Sequence, residues 1–236
     1  MRSGDEALRS VRALGLSMAF LALFGSEIRA EIYGFQAISN SSGVSGAVAS
    51  QLSVEVAHSE DHPGQVLFKF ANDITSPYGG NIKGIFFDDQ GGLGSIGGLV
   101  ETSAFTVDFK YPANGQGNFP GGNLLTPAFQ ATSWTTFNRG QNKIDPGEYL
   151  EVVYHLTPMT TFEELLGAIG LGFSGGGPGS LRIGVHVGSI AALPGRDDSD
   201  SYVMSLVPVP GAALLASLGI SSAGLFLRRK RDLASS

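Results

Sequence analysis

No cysteine occurs in the 236 residues, which excludes disulfides and thiolate metal sites. A domain of this length buries enough apolar surface without covalent staples, so the absence is compatible with export. Several chemical signatures are missing as well: there is no Gly-x-Ser-x-Gly elbow, no His-Glu-x-x-His helix and no phosphate loop. No repeat of about 20–50 residues recurs, which argues against solenoids and propellers. Cations are scarce in the centre. Residues 31–207 hold 7 Lys and Arg against 17 Asp and Glu, a net of −10, while the whole chain carries −6. An acidic surface of this kind repels nucleic acid, so nucleic-acid binding is discarded.

What is present in the centre is strand patterning. Leu52, Val54 and Val56 alternate with Ser53, Glu55 and Ala57, and Val66, Phe68 and Phe70 alternate with Leu67, Lys69 and Ala71. Period-2 alternation puts one set on a core face and the other toward solvent. The pattern recurs over Phe105–Phe109, over Tyr149–Leu156, and in Leu181, Ile183, Val185 and Val187 around Arg182, Gly184 and His186. Ile82–Phe87 and Tyr202–Leu206 read as strands too, with weaker signals at Ile32–Ile38 and Phe129–Phe137. Between them, His62–Gly64, Ser76–Gly80, Asp89–Gly98, Asn114–Asn123 and Asp145–Gly147 carry the Gly, Pro and Asn of turns. One helix interrupts the series. Thr160-x-x-Glu163 reads as a capping box, Phe162, Leu165, Leu166 and Ile169 share a face, and Gly170 closes it. The predicted architecture is all-β: a single antiparallel β-sandwich of jelly-roll type over 31–206, with one short helix.

Candidate chemistry in this domain is sparse, and no catalytic residue, metal ligand or cofactor is assigned. His58 and His62 are four apart, but Pro63-Gly64 makes their segment a loop in which that spacing creates no common face, so a solvated turn is preferred to a metal site. His155 and His186 fall on the outward phase of their strands. Asp197, Asp198 and Asp200 crowd one bend as calcium ligands do, yet the twelve-residue loop and its closing Glu are absent, so a solvated turn is again preferred. Asp88-Asp89 closes a strand before Gly91-Gly92. Trp134, Tyr78 and Tyr111 are the aromatics near strand edges, where a face can stack on a sugar ring, although a lone Trp in an alternating stretch is more often packing.

The two ends differ from the centre. Met1–Arg12 is polar and mildly basic, Ala13–Phe24 is an apolar run too short to span by preference, and Gly25 and Ile28-Arg29-Ala30 follow. That order predicts a signal peptide over 1–30, cut between Ala30 and Glu31, with retention as an N-terminal anchor as the other outcome. Signal peptidase and the secretion translocon are then partners. At the far end, Val207-Pro208-Val209-Pro210 precedes 211–227, which holds no charged residue, and then come Arg228-Arg229-Lys230-Arg231 and a short tail, 232–236. Seventeen residues at helical rise cover roughly 26 Å, and counting from Val207 gives about 31 Å, enough to cross a hydrocarbon core. The four cations form a stop that stays on the cytoplasmic side. The prolines hold the junction extended, a form a processing enzyme can grip.

This layout over 207–231 resembles the PEP-CTERM sorting signal of bacteria, in which a Pro-x-Pro motif precedes a membrane helix and an Arg-rich end. It differs at Val209, where the family has an acidic residue. The resemblance implies an exosortase-type membrane peptidase as partner, and a protein that is anchored in the cytoplasmic membrane as an intermediate and then delivered to the cell surface or released. It also implies a structural role in an exopolysaccharide matrix, with the polysaccharide itself as a further partner. An ordinary C-terminal anchor, or an apolar helix docked on a soluble domain, also fits the composition of the tail. A carbohydrate-binding module or adhesin would be marked by an aromatic strip on one sheet face, and a secreted hydrolase by His and acid residues converging in a cleft.

Overall fold

The computed structural model describes residues 29–58, 62–73, 76–101, 107–111, 117–137, 143–191 and 197–206. Of the expected leader 1–30, residues 1–28 lie outside these residues, as do the expected sorting motif Val207–Pro210, the apolar run 211–227 and the basic cluster Arg228–Arg231. Among the described residues no helix is long and apolar enough to cross a membrane.

Alternation in the sequence becomes burial in the structure. Strand β1 (Arg29–Ala37) leads into β2 (Leu52–His58), β3 (Gln65–Asn72) and β4 (Gly79–Asp89). Leu52, Val54 and Val56 on β2, and Val66, Phe68 and Phe70 on β3, are buried, while the residues between them are partly exposed. β5 (Gly94–Glu101), the two-residue β6 (Phe109–Lys110), β7 (Ser133–Phe137), β8 (Glu148–Leu156), β9 (Leu181–Ile190) and β10 (Asp198–Ser205) complete the series.

All ten strands belong to one antiparallel sheet in the order β5-β8-β3-β2-β1-β10-β9-β4-β7-β6. β5 also touches β7, so the sheet coils until it nearly closes. Aromatic rings fill the space between facing walls: the Phe87 ring of β4 lies 5.3 Å from Phe68 on β3 and 5.4 Å from Tyr154 on β8. The expectation of mostly antiparallel β-structure holds.

Four local features differ from the sequence-based expectation. First, β5 occupies a stretch that reads as a turn because of Gly94, Gly97 and Gly98. Gly94 and Gly97 mark close approach. A Cβ on Gly97 would collide with the His155 ring, and one on Gly94 with the His155 carbonyl. Second, the segment Phe105–Phe109 enters the described residues only at its end, where Phe109 pairs with Phe137.

Third, the helix α2 (Phe162–Phe173) is capped one residue later than expected and runs three residues past Gly170. The Thr161 hydroxyl accepts from the Glu164 backbone N–H at 3.2 Å, and the Glu164 carboxylate accepts from the Thr161 N–H at 2.8 Å. A shorter helix, α1 (Ser45–Ala49), and a 3-10 turn at Gly122–Leu124 also occur, where the sequence suggested one helix in all. Fourth, the outward side of β9 is not solvated. Residues 117–131 fold over it, and Phe119 lies where a Cβ on Gly184 would stand, packed on Phe86 and Phe129 in a second small core.

Loss of a capping hydroxyl costs a helix about 1 kcal/mol. Thr161→Ala should therefore lower the melting temperature by about 2–4 °C, read by circular dichroism, without altering the strand signal.

Candidate functional site

The antiparallel pairing of the first and last strands brings both chain exits to one pole. Gly34 on β1 faces Ser205 on β10, and Ala37 faces Tyr202. Arg29 opens β1 opposite His58, so the chain enters at the pole from which it leaves at Leu206. α2 lies across this pole. Its Phe162 ring stacks 5.1 Å from His58, its Phe173 ring stands 5.5 Å from Tyr33, and Phe162, Leu165, Ala168 and Ile169 are buried. A cleft of about 420 Å³ opens between the end of α2, residues 125–126 and the end of β10, with Gln36, Leu125, Phe173, Val203 and Leu206 among its walls.

Arg182, at the back of this cleft, does not point to solvent as its strand phase suggests. It is 4% exposed and pairs with Asp88, which is 0% exposed. Its Nε donates to Asp88 Oδ2 at 2.9 Å, and its terminal nitrogens donate to the carbonyls of Pro127 (2.7 Å) and Ala128 (2.9 Å). Gln90 donates to the other Asp88 oxygen. The guanidinium also stands over the Phe129 ring at 5.3 Å, and Gly176, at φ 76°, leaves the space its Nε occupies. Asp89 turns the other way. Its carboxylate accepts from the N–H groups of Gly91, Leu93 and Gly94 and from the Tyr154 hydroxyl at 3.0 Å. Burial pushes the Tyr154 hydroxyl pKa up, and the adjacent Asp89 charge adds to that.

The acidic bend, read as a solvated turn, is instead the start of β10, and its carboxylates differ in surroundings. Asp200 is buried, and its carboxylate accepts from the Ser39 hydroxyl at 3.0 Å and from the Ser41 and Ser42 N–H groups at 2.6 and 3.2 Å, so it fastens the 39–42 turn. Asp198 starts β10 and Asp197 precedes it. Among the described residues no group of three or more His, Asp or Glu is placed to hold a metal ion. His58 ends β2 instead of lying in a loop, and with His62 it borders an apolar groove of about 290 Å³.

Trp134 is half-buried against the second core, Tyr78 packs on the main core, and Tyr111 is exposed, so these three form no common strip. His155 is exposed beside Gly97. His186 is half-buried, with its Nδ1 at 3.2 Å from the Ser201 hydroxyl. That pair has the partners of a nucleophile and base. Ser201, however, is 2% exposed, and the neighbouring Asp200 carboxylate is engaged by the 39–42 turn.

Of the predicted processing residues, Ala30 and Glu31 are exposed on β1, opposite Ala57 and Val56. Glu31 accepts from the Tyr33 hydroxyl at 2.9 Å, and burial followed by that bond raises the Tyr33 pKa. Sequence reading missed Arg182 and Asp88 as partners because they are 94 positions apart and each sits in a stretch with an ordinary strand pattern. The usable signal was a cation on a strand flanked by the glycine-rich stretch Gly175–Gly179. No family model, curated protein or solved structure matches the chain.

Removing one partner of a buried ion pair leaves an uncompensated charge and costs about 3–5 kcal/mol. Arg182→Met should lower unfolding free energy by that amount in urea titrations, and adding Asp88→Leu should recover most of the loss.

His186 supplies a pH dependence. Burial, then Lys83, lowers its pKa below the ordinary 6.5, against a smaller opposing pull from Asp200. The unfolded chain therefore binds this proton more readily than the folded one. The stability it contributes is complete above pH 6.5 and is lost as pH falls through the folded value. The melting temperature of His186→Gln should fall less between pH 7.5 and 5.5 than that of the unaltered protein.

Proposed function

We propose that the chain is an exported structural protein of a bacterial surface or extracellular matrix, sorted and processed through a PEP-CTERM-like C-terminal signal. The observation that carries this reading is the order Val207–Pro210, uncharged 211–227, Arg228–Arg231, placed directly after a β domain whose sequence is acidic. Leu206, the residue before the motif, is 68% exposed, so the motif follows a solvent-facing exit. The β domain is read as a jelly-roll-like sandwich: one coiled sheet whose β3–β8 and β4 walls pack face to face supports that description.

In this reading a leader covers 1–30 and is removed between Ala30 and Glu31. Both residues belong to β1 in the folded domain, and a bond held in a sheet is not presented to a protease, so the cut belongs to the chain before it folds. The domain then forms outside the cytoplasmic membrane while 211–227 spans it and Arg228–Arg231 face the cytoplasm. An exosortase-type peptidase acts at Val207–Pro210 and transfers or releases the domain to the surface. Exopolysaccharide is the surrounding polymer.

Intact-mass analysis of the protein isolated from its host tests both ends together. The expected species begins at Glu31 and ends near Pro210. A species that retains Arg228–Arg231 would overturn the sorting reading in favour of a permanent anchor.

A further inference from the structure

Two apolar segments flank the domain in sequence, and β1 begins on the side where β10 ends. The run 13–24 ends five residues before Arg29, and the run 211–227 begins five residues after Leu206. Five residues reach about 18 Å at most. Because β1 starts and β10 ends at one pole, either segment, once in a bilayer, holds that pole near the lipid surface.

The cleft side of the pole is suited to such a contact. Leu206 is 68% exposed and lines the cleft, and Leu171, next to the lining residue Gly172, is 54% exposed. Ile32, on the same outward face as Gln36 and 53% exposed, lies two residues before the partner of Ser205. Among the described residues no Asp or Glu lines the cleft, and the one charged wall residue among them, Arg182, is turned to Asp88. In a domain with a net of −10 over 31–207, a cleft lined without acids is where a bilayer surface can be approached with least repulsion. Of the carboxylates near this pole, Glu31, next to Ile32, has the opposite strand phase and accepts from the Tyr33 hydroxyl, Glu163 and Glu164 are at the opposite end of α2, and Glu55, facing Ile32, has Lys69 across from it on β3.

We propose that Ile32, Leu171 and Leu206, around the cleft, form a seat that rests on the lipid headgroup region while the chain is anchored, tilting the domain onto this side. The proposal rests on the reading of 211–227 as a membrane span. Apolar side chains set at an interface gain stabilisation in proportion to the area they bury there.

The lack of cysteine makes the test clean. Full-length chains carrying Leu171→Cys, Leu206→Cys or, at the opposite pole, the exposed Ser50→Cys would be spin-labelled and reconstituted in nanodiscs of phosphatidylcholine and phosphatidylglycerol. Accessibility to an aqueous nickel chelate is then measured. Labels at 171 and 206 should be several-fold less accessible than the label at 50. Equal accessibility at all three positions, in chains that co-elute with the discs, would overturn the seat and leave the span intact. Chains that fail to co-elute would overturn the span and the seat together. Protection that appears only with two copies per disc would show a second chain covering the rim, and would also overturn the seat.

Discussion

Four residue pairs between β1 and β10, from Gly34 with Ser205 to Ala37 with Tyr202, join two groups of five strands into one sheet. On one side stand β5, β8, β3 and β2 beside β1; on the other, β9, β4, β7 and β6 beside β10. Everything that positions the pole depends on this junction. It places the entry and exit of the chain side by side, it lets the two groups curl toward each other around Phe68, Phe87 and Tyr154, and it leaves an open end that α2 covers. The pairing is short because β10 ends at Ser205 while β1 continues to Arg29 against β2.

Without disulfides, the loops of the domain are fastened by carboxylates. Asp88, Asp89 and Asp200 are buried, and each takes hydrogen bonds from a different part of the chain: Asp88 from Arg182 on β9 and from Gln90, Asp89 from the 91–94 stretch, and Asp200 from the 39–42 turn. A buried charge is tolerated only when its oxygens are satisfied in this way. The negative charge of the domain is thus partly internal, which bears on how acidic the surface is: the sequence count of −10 is an upper bound on what solvent meets.

Strands with strict alternation were legible because one face meets the core and the other water; β2, β3 and β8 are of this kind. β9 had a legible strand but an illegible outer face. Leu181 to Val185 are all buried, because Phe119 and Phe129 arrive from a segment more than 50 residues earlier, and nothing local announces that cover. β5 was hidden by its glycines, of which Gly94 and Gly97 serve the close approach of β8 and not a turn. The capping box was displaced by one residue since Thr160 and Thr161 precede Glu163 and Glu164, so two boxes of the same spacing compete. The acidic bend at Asp197–Asp200 read as a single cluster, but strand alternation sends Asp200 to the 39–42 turn, a partner about 160 positions away. Except at the capping box, whose contacts are three residues apart, the deciding contact is between segments far apart in the chain.

The β1–β10 junction also governs how the domain responds to force. Its hydrogen bonds run across the strands, and both ends of the chain emerge from the same pole. Tension between those ends would open the ladder like a zipper, one pair after another, rather than shear it with the load shared. A domain held by one tether feels no such tension; held by two, it would part along its central seam first.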